Sequence, residues 1–187
     1  MSSILKVDQL QDSGGNEIIT SNGSGTITVN SQPFKNGITM ADQWRLTALV
    51  TSDGDITSNL ERIDDASFSK IGTGMTETSG EFTFPQTGLY LIQVQATLLA
   101  DADTQMGLNT FLDVGSGYDQ VTQLDNGVST GNSRSTGFSS SFINVTNTST
   151  CKAKFTTFGF SNSSQILMGN SNHNRTAFTF IRLGDSQ

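Results

Sequence analysis

The sequence predicts an all-β fold, a β-sandwich or jelly roll, on three observations. Runs of strand length alternate with clusters rich in Gly, Asn and Asp, at the spacing of sandwich strands and their turns. No segment shows a sustained helical period with caps. Twelve Phe in a chain that is only 34% hydrophobic and 14% charged favour a thin aromatic core under a polar surface.

The first 36 residues contain three β-prone runs, ILKVDQLQ, EIIT and TITVN, which are divided by the turn clusters DSGGN and SNGSG. Strands this short are marginal in water by themselves. We therefore predict a segment that attaches to another chain, and its partner would cover the apolar residues Ile4, Leu5, Val7, Leu10, Ile18, Ile19, Ile27 and Val29.

A linker, QPFKNG, separates this segment from the rest of the chain. Pro33 fixes its own φ and biases Gln32 toward extended structure, and Asn36-Gly37 is a turn signal. The predicted division is an attachment segment with its linker at 1–36 and a head domain at 37–187.

The predicted head domain, residues 37–187, contains a series of strand candidates. In QWRLTALV, one face would carry Trp44, Leu46, Ala48 and Val50. The candidates that follow are FSKIG, EFTF, LYLIQVQATLLA, GLNTFLDV, FSSSFINVT, CKAKFTTFGF, SQILMG and TAFTFIRLG. Their separators are polar and turn-forming, which is typical of a β-sandwich.

The stretch GEFTFPQTGLYLIQVQ concentrates most of the distinctive side chains. Pro85 cannot donate to a strand ladder, so it is expected at a strand end, and Gly88 is expected in the turn that re-enters the sheet. The alternation that follows places one set of residues in the core and another outside. The predicted core face is Tyr90, Ile92, Val94, Ala96 and Leu98.

The spacing Gly80-x-Phe82-x-x-Pro85-x-x-Gly88-x-Tyr90 resembles the signature of the globular head of complement component 1q, whose jelly roll is shared with the tumour necrosis factor ligands. The last strand candidate, TAFTFIRL, resembles that family's closing strand, with Phe180 where the family usually has glycine. The resemblance implies a jelly roll that assembles as a homotrimer.

A second, narrower resemblance concerns the kind of virus that encodes such proteins. The phrases DQWRL, DGDITSNLERIDD and IGTGMTETSGEFTFP resemble a module of virion structural proteins of marine tailed bacteriophages. The opening ILKVDQLQDSGGNEII resembles the N-terminal segment of many such proteins. This implies a surface protein of a virion, made in the cytoplasm of a host bacterium.

Net charge and hydropathy limit the classes of partner that the chain is expected to bind. The formal net charge of −7 argues against binding nucleic acid, whose phosphates attract Lys and Arg. No apolar run is long enough to span a membrane, so membrane insertion is not expected. The expected partners are other copies of the chain, other virion proteins and a host-surface glycan or protein.

A calcium loop is the strongest metal candidate. Its positions one and three would be Asp53 and Asp55, but position six is Ser58 instead of glycine and no helices flank it. A second acidic loop contains Asp101 and Asp103. We interpret both as acidic surface turns and expect no cofactor, with calcium as the alternative. The remaining positions of the first loop are Thr57, Asn59, Glu61 and Asp64.

No catalytic constellation is visible. His173 is the single histidine, Cys151 the single cysteine, and Asp64-Asp65 would point to opposite faces of a strand. We therefore expect a non-enzymatic trimeric fibre with an outward head for host attachment, a tail fibre or adhesin. The alternatives are a head fibre or decoration protein on the capsid, a glycan-degrading enzyme with a site between subunits, and a scaffold without a receptor.

Overall fold

The computed structural model describes residues 7–29, 37–100, 105–127, 131–161 and 163–187, and every regular element in them is a β-strand. The predicted all-β fold is therefore confirmed. In chain order the strands are β1 (Gln9–Gln11), β2 (Glu17–Ser21), β3 (Ile27–Val29), β4 (Ala41–Leu46), β5 (Gly54–Asp55), β6 (Leu60–Arg62), β7 (Thr76–Thr78), β8 (Glu81–Thr83), β9 (Gly88–Ala100), β10 (Met106–Val114), β11 (Tyr118–Asn126), β12 (Ser133–Val145), β13 (Cys151–Phe158), β14 (Ile166–Leu167) and β15 (Ala177–Gly184).

The chain divides into two compact units, Met1–Gly37 and Ile38–Gln187. The first contains an antiparallel sheet in the order β1-β2-β3. Across it, Leu10 pairs with Ile19, and Ile19 pairs with Val29. Asp12 closes the first turn by accepting hydrogen bonds from the side chain of Asn16 and from the backbone N–H groups of Asn16 and Gly14, and these bonds lower its pKa.

The second unit is a sandwich of two antiparallel sheets. Sheet I has the strand order β11-β10-β13-β8-β7, with β5 on β13. Sheet II has the order β12-β9-β15-β4-β6, with β14 on β9. Several neighbouring strands are far apart in the chain, such as β10 and β13 in sheet I and β4 and β15 in sheet II, so their connections cross between the sheets as in a jelly roll. The structure confirms the predicted fold.

The core lies between the sheets and is mainly aromatic. The predicted face of β9 is buried from Tyr90 to Leu98, which confirms the alternation. From sheet I, Phe82 and Phe155 meet this layer with their ring centroids 5.6 Å apart. Edge-to-face contacts of this kind add to the stability gained from burial.

Phe180 fills the space that a glycine would leave in the closing strand. Its side chain is buried, and its ring centroid lies 5.1 Å from that of Phe82. The neighbouring Phe178 stacks on Phe155 at 4.1 Å. The departure from the family pattern therefore enlarges the aromatic core.

Steric constraints explain the glycines of the Gly80–Tyr90 signature. Gly80 has φ +87°, and a Cβ there would lie 2.2 Å from the carbonyl oxygen of Ile56. Gly88 has φ +151°, and its Cβ would lie 2.5 Å from the carbonyl oxygen of Gly184. Both positions need a residue without a side chain, since a backbone oxygen obstructs the Cβ at each, and the guanidinium of Arg182 adds a second obstruction at Gly88.

The turn between these glycines is fixed by Tyr90. Its hydroxyl donates to the carbonyl of Gln86 at 2.8 Å, and its ring packs edge-on against Phe84. Burial raises the pKa of Tyr90 to about 12, so the hydroxyl stays protonated as the donor at neutral pH. Pro85 lies between β8 and β9, at a strand end as predicted.

Replacing Gly80 by alanine should destabilise the head. We expect Gly80→Ala to lower the free energy of unfolding by at least about 1–2 kcal/mol, because it adds left-handed strain and a backbone clash. Chemical denaturation monitored by fluorescence of Trp44 measures this loss. The matched control is Gly184→Ala, where φ is not positive and a Cβ meets nothing within 4 Å. Equal stability of the two variants would contradict the steric explanation.

The predicted strand series was wrong in several places, and the short strands β5, β6 and β7 were not predicted. QWRLTALV stops being a strand at Leu46, and Val50 forms an isolated bridge to Leu167. FSKIG is a loop with one bridge, from Ile71 to Ala41, because Phe68 N–H turns back to the Asp65 carbonyl. The polar run YDQVTQLDN was not predicted but forms β11, since pairing with β10 along its whole length supplies the hydrogen bonds.

Candidate interaction surfaces

The first calcium-loop candidate begins with Asp53 and Asp55, whose carboxylates form hydrogen bonds and an ion pair within the fold. An oxygen of Asp53 accepts the backbone N–H of Phe160 at 2.7 Å. Asp55 accepts the hydroxyl of Thr156 at 2.6 Å and the ammonium of Lys154 at 2.9 Å. These bonds tie the strand β5 and the loop before it to β13 and the residues after it.

Replacing Asp55 tests this function of the loop. The Thr156 hydroxyl and then Lys154 hold the pKa of Asp55 below its ordinary value of 3.8. A lowered folded-state pKa stabilises the protein above pH 3.8, and that stabilisation is lost as the pH falls through the folded-state pKa. We expect Asp55→Asn to cost less than about 1 kcal/mol at pH 7, because the carboxylate is partly solvated.

The measurement is the free energy of unfolding of Asp55→Asn and the parent protein from pH 7 to pH 2. The two curves should converge below pH 3.8. Asp119→Asn, at an exposed position of β11, is the matched control and should follow the parent. A constant difference at all pH values would contradict an ionic contribution from Asp55.

The other calcium-loop candidates do not converge on one point. Glu61 and Asp64 instead bind the guanidinium of Arg45, and Asn59 has a positive φ. Within residues 7–29, 37–100, 105–127, 131–161 and 163–187, no three His, Cys, Asp or Glu side chains are grouped to hold a metal ion. The remaining metal candidates, Asp101 and Asp103, lie outside the described residues.

His173 and Cys151 occupy unrelated places. His173 is exposed in a loop, where its backbone N–H donates to the side chain of Asn170. Cys151 is buried at the start of β13 with a free thiol. The part of the chain that the structure describes also contains no helix long and apolar enough to cross a membrane.

Asp64 and Asp65 do not lie in a strand, so the prediction that they point to opposite faces was wrong. Both bind the guanidinium of Arg45, Asp65 at 2.8 Å, and Glu61 binds it at 2.7 Å. Burial disfavours the charge of Arg45, but the hydrogen bonds that Arg45 donates to Glu61 and Asp65 outweigh the effect of burial and raise the pKa of Arg45. We call Arg45, Glu61, Asp64 and Asp65 the acidic cluster, which has a formal net charge of −2 (one cation, three anions).

The outward face of sheet II has exposed aromatic side chains along its edge strand, β12. Phe138 is 74% exposed and Phe142 is 62% exposed. They pair with Gln95 and Leu91, which have the opposite orientation to the core residues of β9. Ile143, by contrast, is buried in the core. The strand β12 therefore has large apolar side chains on both of its faces.

A groove lies near the opposite edge of the same face. It has a volume of about 190 Å³. The loop that contains Phe68 and Ile71 forms one wall, and β4 and β15 form the floor. Most of the lining is apolar, and we call it the apolar groove; its lining includes Ala41, Gln43, Phe68, Ile71, Thr179 and Ile181.

The N-terminal unit exposes apolar side chains in a sheet of three short strands. Val7, Leu10 and Ile27 are each at least half exposed, and Ile18 and Ile19 are half-buried. Among the other predicted attachment residues, Val29 belongs to β3 by its backbone, and Ile4 and Leu5 lie outside the described residues.

Sequence reasoning missed the outward aromatic residues of β12, although a signal was present. In FSSSFINV, Phe138 and Phe142 are four residues apart and share one face of a strand, while Ile143 and Val145 share the other. When a strand has large apolar side chains on both faces, the core of its own sandwich buries only one set, and the other set stays exposed unless a second surface packs against it. Arg45 gave no such signal, because two of its three carboxylate partners, Asp64 and Asp65, come from a loop.

Comparisons with known proteins show the fold. No protein-family model matches the chain, and no curated protein sequence matches it. Among solved structures, Eiger TNF from S. frugiperda is similar with a TM-score of 0.61 at 15% identity, over 81% of this chain and 96% of that one. Murine APRIL at pH 5.0 is similar with a TM-score of 0.58 at 12% identity, over 77% and 98%.

The PRD1 vertex protein P5 also matches, with a TM-score of 0.48 at 17% identity over 80% of this chain and all of that one. That score lies below the level at which a shared fold is inferred. The identities of the first two proteins are too low to carry function across. With the topology of sheets I and II, they show that residues 38–187 have the jelly-roll fold of the tumour necrosis factor-like proteins.

Proposed function

We propose that this chain is a non-enzymatic structural protein of a bacteriophage virion, forming a homotrimeric surface fibre. The jelly-roll head points outward and attaches the particle to the host surface, as a tail fibre or adhesin. The N-terminal unit binds other virion proteins. The phage source rests on the resemblance of the DQWRL, ERIDD and MTETSGEFTFP phrases to phage virion modules.

The observation that carries the proposal is the incomplete surface of the head. Phe138 and Phe142 are large, apolar and mostly solvent-exposed on the face of sheet II that also contains the apolar groove. Large exposed apolar side chains that share one face of a sheet mark a candidate interaction site. The jelly roll supplies the matching architecture, and trimers are what the resemblance to complement component 1q implies.

The N-terminal unit supports attachment to the particle. A three-stranded sheet with Leu10 and Ile27 exposed gains stability when a partner covers these side chains. Its outer strands β1 and β3 each have an edge that pairs with no strand of this chain in the described residues. Strand edges of this kind accept a strand from another protein by main-chain hydrogen bonds.

The head's polar loops support recognition of a surface. Loops rich in Asn and Ser, such as 170–174, offer hydrogen-bond donors and acceptors. Such groups suit a neutral glycan or a polar protein surface. The acidic net charge favours a receptor that does not depend on anionic groups.

Purified particles of the virus that encodes this chain test the proposal. We expect the protein to remain with particles through density-gradient purification, and gold-labelled antibody against residues 38–187 to mark their surface. Antibody fragments against the head should reduce adsorption to host cells. Absence of the protein from purified particles would overturn the proposal.

The same particle preparation also tests whether the protein lies on the tail or on the capsid, and the purified protein tests whether it is an enzyme. A low copy number with label on the tail supports the tail fibre, whereas a copy number that scales with capsid subunits supports a head fibre or decoration protein. Release of reducing sugar from host polysaccharide by the purified protein would contradict the non-enzymatic assignment. Normal adsorption by particles that lack the protein would contradict host attachment.

A further inference from the structure

The outward face of sheet I carries a tyrosine ring that lies across the strands. Tyr118 belongs to the edge strand β11, and its hydroxyl donates to the carboxylate of Glu81 on β8 at 2.6 Å. The strand order β11-β10-β13-β8 puts three strand spacings, about 14 Å, between the two backbones. Both side chains therefore extend toward each other, and the ring of Tyr118 spans the strands between them.

One face of this ring is covered by a cation. The ammonium of Lys154 lies 4.6 Å from the ring centroid of Tyr118 and 5.6 Å from that of Phe111, an attractive arrangement. Lys154 belongs to β13, which the ring spans, so its ammonium covers the face of the ring that points toward the sheet. No other ring packs on Tyr118 in the part of the chain that the structure describes, and the residue is only half-buried. The opposite face of the ring is open to solvent.

Strand pairing places the neighbours of this ring on the same side of the sheet. Phe111 of β10 pairs with Gln120 of β11 and with Lys154 of β13, and paired residues share one face. The core side of β10 is instead occupied by Leu108 and Leu112. We call Tyr118, Phe111 and Lys154 the tyrosine platform, which faces away from the core.

A row of amide side chains borders the tyrosine platform. Gln120 donates to the side chains of Asn109 and Gln123, each at 3.2 Å. Gln123 in turn donates to Asp125 at 3.1 Å. An amide oxygen accepts two hydrogen bonds, so this row keeps acceptors for the hydroxyl groups of a ligand. We call Asn109, Gln120 and Gln123 the amide row.

The charges around the platform nearly cancel. Lys154 pairs with Asp55 at 2.9 Å, and the ammonium of Lys152 lies 3.8 Å from Glu81. With Asp113, which pairs with Lys152 across the strands, the formal net charge of these five groups is −1 (two cations, three anions). Both lysines on the described strands of this face thus have a carboxylate partner. The charge of the face favours a neutral ligand over an anionic one.

The mixture of one open ring and many polar groups suits a sugar. A hexopyranose has an apolar face of C–H groups and a rim of hydroxyl groups. The C–H face packs on an aromatic ring, whose face is electron-rich, and the hydroxyls bond to amides and carboxylates. A protein partner fits less well, because the centre of such an interface is mainly apolar. On the described strands of sheet I, the exposed large apolar side chains are Val114 and Val121.

We propose that the outward face of sheet I binds a neutral hexose unit of a host-surface glycan, which stacks on the open face of Tyr118 and bonds to the amide row. The inference rests on the proposed host attachment and adds the ligand class and the surface that binds it. Glu81 and Lys154 hold the ring in place before the ligand arrives, so little conformational entropy is lost on binding. Burial, and then the hydrogen bond to Glu81, raise the pKa of Tyr118, so its hydroxyl remains a donor at neutral pH.

Tyrosine resonances give the first test, because the chain has two tyrosines and the other one, Tyr90, is buried in the core. The intact protein, with isotope-labelled tyrosine rings, is titrated with neutral tetrasaccharides of glucose, galactose and mannose. The ring-proton resonances of Tyr118 should shift and saturate with at least one probe, while those of Tyr90 stay in place. Unchanged Tyr118 resonances with all of the probes would overturn the proposal.

Substitutions at the platform test the stacking. Tyr118→Leu keeps apolar bulk without the ring and should raise the dissociation constant of the tightest probe roughly three- to tenfold. Tyr118→Phe keeps the ring but loses the bond to Glu81, and its affinity should lie between the two. Asp119→Ala is the matched control, since Asp119 is next in the strand but pairs with Leu112 of the core side, and it should bind as the parent does. Equal affinity of Tyr118→Leu and Asp119→Ala would contradict the stacking.

An acidic counterpart of the tightest probe tests the ligand class. The matching uronic acid tetrasaccharide differs from the neutral one by a carboxylate on each sugar. It should bind about threefold more weakly or worse, because the face has a net negative charge and its lysines are already paired. Equal or tighter binding of the acidic probe would overturn the assignment to neutral glycans.

Treatment of host cells separates this inference from the proposed function. Periodate, which cleaves vicinal diols of sugars, should reduce adsorption of the virus particles, whereas protease should not. Adsorption that survives periodate but is lost after protease would overturn the glycan inference and leave host attachment in place. Particles that lack the protein would overturn the proposed function, while the titration of the purified protein would still decide whether it binds a neutral glycan.

Discussion

Phe82→Ala should give the largest loss of stability among single substitutions in the head, about 3–5 kcal/mol in the free energy of unfolding. Phe82 is fully buried, and its ring lies within 5.1–6.2 Å, centroid to centroid, of four other aromatic rings. Removing it opens a cavity between the two sheets at the point where β8 meets β15. The four rings belong to Trp44, Phe155, Phe178 and Phe180.

Urea denaturation of Phe82→Ala, with Trp44 as the fluorescent probe, measures this loss. Phe82→Leu keeps most of the apolar volume and should cost clearly less than the alanine variant. If Phe82→Ala were no less stable than Phe82→Leu, the aromatic cluster would not be the centre of the core. A variant too unstable to purify would be ranked by its yield beside Phe82→Leu at lower temperature.

Asp42→Ala should cost about 3–5 kcal/mol, because it removes one half of an ion pair whose acidic partner is fully buried. The carboxylate of Asp42 accepts hydrogen bonds from Arg62 Nε at 2.9 Å, from the indole N–H of Trp44 at 3.0 Å and from the backbone N–H of Met75 at 2.7 Å. Without it, these three donors lose their acceptor in the interior.

Thermal and chemical denaturation of Asp42→Ala measure the effect. The matched control, Asp119→Ala on the surface of β11, should change the free energy of unfolding by less than about 0.5 kcal/mol. The indole absorption of Trp44 should also shift, because its N–H loses the bond to Asp42. Stability equal to that of the control would show that Arg62 finds an equivalent partner.

Much of the fold was readable from β9 because its two faces differ so strongly. Tyr90, Ile92 and Val94 alternate with Gln93 and Gln95, and a strict period of two indicates one buried face. The glycine spacing around it identified the jelly roll because the backbone there leaves no room for a Cβ at Gly80 or Gly88.

Strands at the edges were harder to predict. The strand β11 contributes Leu124 to the core and little else, so its sequence lacks an apolar period and its extended form depends on β10. FSKIG contains the apolar residues Phe68 and Ile71 in a run of strand length, yet these residues form a wall of the groove. The local sequence pattern does not show which tertiary contacts such residues make.

The acidic cluster was beyond sequence reasoning for a related reason. Arg45 lies in β4, whereas Asp64 and Asp65 follow β6 in a loop, and only the closed ladder between β4 and β6 brings them together. The outward side chains of β12 were within reach, because Phe138 and Ile143 have opposite parity in one strand.

The mass of the intact protein in solution tests the central claim most directly, which is that the head is completed by copies of itself. Size-exclusion chromatography with light scattering should give about 60 kDa, three times the chain mass of 20.0 kDa. Phe142→Ser should shift the protein toward the monomer, while Val114→Ser, at an exposed apolar position of sheet I, should not. A mass of 20.0 kDa for the intact protein at every concentration would contradict the account.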